Sequence, residues 1–267
     1  MKSYFSYFRL KFLAGIQYRF DAIAGVSTQF VFGLAYVSIY IAFYKSNSVS
    51  TSISLKELIS FVWLEQAFFA LTYSFYRDKE IIKMIKNGNV AYELVRPQNL
   101  YLMWIFKIYG DKLSKVTLRF LPIIIIASLL KYPYKLYLSI DLKTFLLFIV
   151  TLFLASILVT LIAVLMHVIC LYTLDDKGVV NIFMVFSDFL SGLVIPIPFF
   201  PKFLQKISNI LPFRYVSDFP FRLYVGNISI NDGLIGIVFQ VIWIILLFII
   251  GYKLMNKALK KAIIQGG

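Results

Sequence analysis

SDFLSGLVIPIPFFPKFLQKISNILPFRYVSDFPFRLYVG, running from Ser187 to Gly226, is too apolar for a soluble loop and too interrupted for one helix. Pro196, Pro198 and Pro201 each lack a backbone donor and obstruct a helix, while Phe199, Phe200, Phe203, Leu204, Ile207, Ile210 and Leu211 keep the segment attached to lipid or protein. The combination describes a helix that breaks as it dips into a membrane. Irregular backbone at such depth survives only where protein or trapped water satisfies its polar groups. Such breaks often line a transport path, which makes Pro196, Pro198 and Pro201 candidates for one. An interfacial hairpin that merely caps a bundle is the other reading of the same residues.

Outward from this stretch, the chain demands a lipid solvent. With 60% hydrophobic residues over 267 positions and a mean hydropathy of +0.82, its apolar side chains exceed what a water-soluble core of this size can hide. Crossing about 30 Å of hydrocarbon takes about 20 residues. Six stretches qualify: Phe20 to Tyr44, Leu58 to Tyr76, Ser114 to Leu130, Phe145 to Tyr172, Val179 to Ile197 and Leu234 to Leu254. No long polar stretch is left for a second domain. The expected fold is therefore an all-α polytopic membrane protein, a single transmembrane domain over 1–267, with an interfacial helix at 1–19, a cytoplasmic loop at 77–103 and an outer re-entrant segment at 198–231.

The amino-terminal helix is expected from Phe5, Phe8, Phe12 and Ile16, spaced by three and four, with Ser3, Tyr7 and Lys11 turned away. It carries Arg9, Lys11 and Arg19 within its apolar pattern, unlike a secretory signal peptide. The net charge is +14, but Lys and Arg sit beside apolar spans and never form a long block, so anionic lipid is the expected partner and nucleic acid is not. Roughly two in three of the basic residues fall on the side of the termini and of the 77–103 loop, which puts both termini in the cytoplasm of a cell-membrane protein. Gly15, Gly25, Gly33 and Gly251 are places where helices can approach closely.

Catalysis is not expected within the chain. No GxxxxGK[ST] phosphate cradle occurs. The single histidine, His167 in VLMHVICLY, reads as a hydrogen-bonded packing residue rather than a base, and Cys170 as packing. One His and one Cys do not make a metal site, and no disulfide can form within the chain. Two acids interrupt the spans: Glu65 in WLEQAFFALTY and Asp188 in VFSDFLSG. A carboxylate near the bilayer centre costs on the order of 3 kcal/mol, so something must compensate it. A shared polar seam along a translocation path and a purely structural pairing both account for them. In the cytoplasmic loop, RDKEIIKMIKN (Arg77 to Asn87) reads as a short amphipathic helix ended by Gly88. Ile81, Ile82, Met84 and Ile85 among its charges point to docking on another protein.

These residues resemble the membrane permease subunits of ATP-binding-cassette exporters of the second type, which export drugs, antibiotics and polysaccharides, most closely their functionally uncharacterised branch. The resemblance rests on VWLEQAFF (Val62 to Phe69), IKNGNVAYELVRPQNLYLMW (Ile85 to Trp104), LRFLP (Leu118 to Pro122), SGLVIPIPFFP and LPFRYVSDFPFRLYVG, in that order. Glu65 departs from it, standing where the family leads one to expect a small or neutral residue. The resemblance implies six spans, a coupling helix in the loop after the second, and paired short helices between the fifth and sixth. It implies two permease subunits, here expected to be a heterodimer, with separate ATPase subunits that bind ATP and Mg, and no cofactor in this chain. Arg77, Glu80, Ile81, Ile85, Asn87 and Glu93 are then the expected ATPase contact, and Glu65, Asp188 and the three prolines the path. An ion-coupled secondary transporter and a non-transporting scaffold or immunity protein stay open as rivals; the first should show inverted repeats, and only one break is seen.

Overall fold

In the computed structural model, residues 2–46, 52–74, 76–95, 97–138, 141–173 and 177–265 are described, and among them every regular element is helical. The first half holds α1 (Lys2–Gln17), α2 (Arg19–Lys45), α3 (Leu55–Thr72), α4 (Lys79–Lys86), α5 (Val90–Leu94) and α6 (Leu100–Leu129). The second holds α7 (Leu142–Thr173), α8 (Lys177–Leu190), α9 (Lys202–Ile210), α10 (Asp218–Tyr224) and α11 (Ile230–Gln265). Short 3₁₀ turns at Ile197–Phe199 and Phe213–Tyr215 flank α9.

From Leu158 to Val168, α7 is buried on every side, as expected of a helix apolar all round. Its first turns, at Phe148 and Leu152, join α2, α3 and α6 in one core together with Phe221 and Tyr224 of α10. Its middle packs on α10 and α11, and its end on α4, α6 and Met255. The outward sides of α2 and α11 present Phe20, Ile23, Val31, Ile39, Ile235, Val238 and Ile242. Such a belt suits lipid rather than water. By length and composition α2, α7 and the 230–260 part of α11 can each cross a membrane. The four expected glycines lie at close helix crossings: Gly15 against Ser114, Gly25 against Arg119, Gly33 against Trp63 and Gly251 against Tyr101.

Local chemistry sets the helix ends. Ser54 and Glu57 form a reciprocal capping box at the start of α3. At its other end the Lys112 ammonium donates to the carbonyls of Leu71 (3.3 Å) and Tyr73 (2.7 Å), so α3 stops at Thr72 rather than continuing to Tyr76. Helix α6 begins at Leu100, well before Ser114, because Asn99 caps it and its early charges face protein partners. On α1, Lys11 is not turned away: this helix packs on α6 through Tyr4 and Phe8, with Lys11 on the same inner side.

The expectation of one helix from Val179 to Ile197 is corrected. Helix α8 ends at Leu190, and its 14 residues span about 21 Å at 1.5 Å per residue. The break falls at Ser191 and Gly192, ahead of the prolines, because Gly192 adopts φ +82° and the Asp218 N–H bonds the Ser191 carbonyl at 3.1 Å. A Cβ at Gly192 would also lie 3.1 Å from Asp218 Cβ. Gly192→Ala is therefore expected to destabilise by about 1–2 kcal/mol, read as a lower thermal unfolding midpoint of the purified protein; an unchanged midpoint would contradict this account of the break.

Candidate functional site

Helix α4 sits on a charged seat that links three other helices. The Asp78 carboxylate caps it, accepting from the N–H groups of Glu80 and Ile81 at 2.9 Å, and also accepts from Lys107 Nζ of α6 at 2.7 Å. The Asp78 N–H donates to His167 Nε2 of α7 at 3.1 Å, while Nδ1 lies 2.7 Å from the Ala163 carbonyl, which places the ring proton on Nδ1. His167 is thus a fully hydrogen-bonded anchor for the start of α4, with Trp104 edge-on to its ring. Glu80 bridges Lys107 at 2.6 Å and Lys11 of α1 at 2.8 Å.

Beneath this seat Ile81, Ile82 and Ile85 are buried in one apolar cluster with Tyr101, Trp104 and Ile108 of α6, Val164 and Val168 of α7, and Met255 of α11. Ile81 is 0% exposed, so the proposed docking role of Ile81 and Ile85 needs correction: they fasten α4 to its own chain. What faces outward is the other side of the loop. Arg77, Lys79, Glu80, Lys83, Asn87 and Asn89 are exposed, Glu93 partly so, and Gly88 ends α4 with φ +69°. Beyond it Tyr92 is 74% and Val95 84% exposed. Arg96 lies outside the described residues.

The hydrogen bonds from Lys107, then Lys11, hold the Glu80 carboxyl down at about 2. Because this value is depressed, its contribution is present above the ordinary range near 4.5 and lost as pH falls toward 2. Glu80 is two-thirds exposed, so screening keeps the effect below about 1 kcal/mol. Comparing the pH dependence of unfolding between the native chain and Glu80→Gln should show the difference vanish between pH 4.5 and 2; a difference that persists there would contradict the bridge.

A second polar cluster gathers at the opposite end of α7. Asp218, at the start of α10, is fully buried and paired through Oδ2 with Arg214 Nε (3.3 Å) and Arg222 Nη1 (3.2 Å). Beside it Ser217 Oγ donates to Glu65 Oε1 at 3.4 Å, and Gln240 of α11 donates to the carbonyls of Thr151 and Tyr215, both at 2.9 Å. Tyr36 and Tyr40 of α2 are electrostatic neighbours of Glu65. Of the two intramembrane acids, Asp188 is an electrostatic neighbour of Tyr73, and Glu65 of Asp218. Pro196 and Pro198 are buried around the first 3₁₀ turn and Pro201 is the exposed cap of α9. Phe199 within that turn stacks on Tyr40 at 5.7 Å, and Phe200 on Phe189 at 4.8 Å.

The family model described as ABC-2 family transporter protein matches residues 30–266, a stretch that contains the second cluster and all of the first except Lys11. The chain belongs to the ABC-2 transporter family. Comparison with curated proteins finds no match. As an ABC-2 family member it is a permease-type membrane component, of a kind that associates with ATP-binding-cassette ATPases. In this ABC-2 protein the matched region includes Asp78, Glu80, Lys107 and His167, while α1 and its Lys11 precede it. Among the described residues no group of three or more His, Cys, Asp and Glu is arranged to hold a metal.

Several of these residues escape sequence reasoning. Lys107 in LYLMWIFKIYG reads as a charge at a span entry, although a lysine among aromatics is also the pattern of a buried ion pair. Asp78 directly before KEIIKMIK is a legible helix cap. Arg214, Asp218 and Arg222 follow one another at a spacing of four, a legible pattern for a helix-face ion pair, whereas Gln240 meets Thr151 and Tyr215 from far along the chain and no local spacing shows it.

Proposed function

We propose that this chain is the membrane subunit of an ATP-driven exporter, in which the loop from Arg77 to Pro97 receives the movement of separate ATPase subunits. The supporting observation is the construction of that loop. An amphipathic helix is fastened to α6, α7 and α11 by its apolar side and tied to α1 by Glu80, while Tyr92 and Val95 stand exposed beside it. A rigid seat with an exposed apolar edge suits the transfer of a push from outside into three long helices at once. Buried Ile81 and Ile85 then carry the load inward, and Arg77, Glu80, Asn87 and Glu93 surround the contact.

In this reading α2, α3, α6, α7, α8 with its continuation, and α11 are six spans of a plasma-membrane protein with both termini cytoplasmic. Helix α1 lies along the inner surface, and α9 and α10 form a re-entrant pair at the outer end. A second permease, related rather than identical, completes the path beside Glu65, Asp188 and the turn of Pro196, Pro198 and Pro201. ATP and Mg bind to the ATPase partners. This chain positions and moves, and carries out no bond chemistry.

Exposed positions tolerate substitution with changes of about 0.5 kcal/mol or less. Tyr92→Asp with Val95→Asp is therefore expected to leave unfolding unchanged yet lower ATPase co-purification at least about tenfold, as loss of a buried apolar contact should. Undiminished co-purification would remove Tyr92 and Val95 from the contact.

A further inference from the structure

We propose that the groove between α9, α10 and α11 binds a zwitterionic phospholipid headgroup, with its phosphate on Arg214 and Arg222 and its ammonium on Asp232. The groove encloses about 440 Å³, within the range of roughly 300–1,000 Å³ typical of ligand pockets. Both guanidiniums are held from behind. Arg214 Nε and Arg222 Nη1 share Asp218 Oδ2, Arg214 Nη1 also bonds Asn209 Oδ1, and Arg222 Nε bonds Asn227 Oδ1 at 2.8 Å. Among the described residues this leaves the Nη2 group of each without a protein acceptor, on side chains only 16% and 12% exposed. Fixed, partly desolvated donors of this kind suit a phosphate.

Asp232 lines the same groove. Its Oδ2 accepts from Ser229 Oγ at 2.7 Å, and among the described residues Oδ1 has no protein donor. With Asp218 paired to the arginines and Asp232 lining the same groove, two positive and two negative charges balance. A simple anion is drawn to the arginines but opposed by Asp232, whereas a head with opposite charges at its two ends complements both.

The position fits an amphiphile rather than a soluble zwitterion. In α11 the apolar run from Leu234 to Leu254 is about 31 Å long at 1.5 Å per residue and fills the roughly 30 Å hydrocarbon core, so the polar Asn231 and Asp232 just before it fall at headgroup level. Ile235 and Phe239 form the apolar wall of the groove, and Val238 and Ile242 continue it along the exposed side of α11. A head therefore finds its polar partners where heads lie, and a tail finds an apolar track below. The inference goes beyond the exporter reading and requires only that the chain sit in a membrane.

Native mass spectrometry of the full-length protein, titrated with phosphatidylethanolamine, phosphatidylglycerol or inorganic phosphate, tests it. Phosphatidylethanolamine should be retained about tenfold more strongly than phosphatidylglycerol, and phosphate alone should not compete. Asp232→Asn should erase the preference between the two lipids, and Arg214→Gln should weaken both. Should Arg214→Gln fail to fold, Asp232→Asn decides alone, because its amide oxygen can keep the Ser229 bond. Equal retention of the two lipids by the native chain, an unchanged preference in Asp232→Asn, or displacement by phosphate would each overturn the proposal.

Discussion

Replacing Asp218 with alanine is expected to destabilise the protein by about 3–5 kcal/mol, the usual cost of stranding buried charges. The carboxylate is fully buried and is the counter-charge of both Arg214 and Arg222, themselves mostly buried. Its removal takes from both guanidiniums their direct ion-pair partner and loosens the start of α10, where Ser217 meets Glu65. For a chain of this size the unfolding midpoint should fall by about 10 °C. Asp218→Asn retains the shape and one acceptor and should fall less. A midpoint unchanged in Asp218→Ala would show that the two arginines find water or lipid instead, and that the cluster does not hold this end of the bundle together.

The second large effect is expected at Asp78. Asp78→Ala removes the cap of α4, worth about 1 kcal/mol, and leaves Lys107, only 4% exposed, with Glu80 as its one acidic partner among the described residues. The combined loss should reach about 3 kcal/mol. It should be concentrated in α4, so hydrogen exchange at Ile81, Ile82 and Ile85 should accelerate more than in α2 or α11. The double variant Asp78→Ala with Lys107→Met removes the stranded charge as well and should recover part of the loss. If the double variant is no better than the single one, cap loss rather than charge burial dominates. Where Tyr92→Asp with Val95→Asp should disturb association alone, Asp78→Ala should disturb both the seat and association, because it loosens the platform itself.

How much of this was legible in the sequence depends on the range of the interactions. Helices α2 and α7 agree with their apolar runs within a few residues, since a long apolar stretch in a lipid solvent has no competing structure. Gly88 and Gly192 contrast usefully. The first follows an amphipathic run and is readable as a helix end. The second is hidden in an apolar stretch in which the later prolines look decisive, yet α8 stops at Leu190 because the N–H of Asp218, distant in the chain, takes the Ser191 carbonyl. Amphipathicity likewise identified α4 but not the object of its apolar side. Periodicity shows that Ile81 and Ile85 share a face, and only the arrangement of α6, α7 and α11 shows that this face is turned inward. At the candidate site, Glu65 was legible as a costly intramembrane acid. Its neighbours Ser217 and Asp218 were not, because Ser217 lies 152 residues further along the chain. Lys11 was assigned to the wrong side of its helix because α1 has a protein, α6, where an isolated amphipathic helix would have lipid.

The most direct measurement of the central claim is co-purification of the native chain, expressed with its chromosomal neighbours, followed by mass spectrometry and an ATP hydrolysis assay on the complex. The exporter account predicts recovery of a subunit carrying a GxxxxGK[ST] motif, with ATP turnover that falls when Tyr92 and Val95 are replaced by aspartate. Recovery of this chain without any nucleotide-binding subunit, together with transport that collapses when the proton gradient is dissipated, would contradict it.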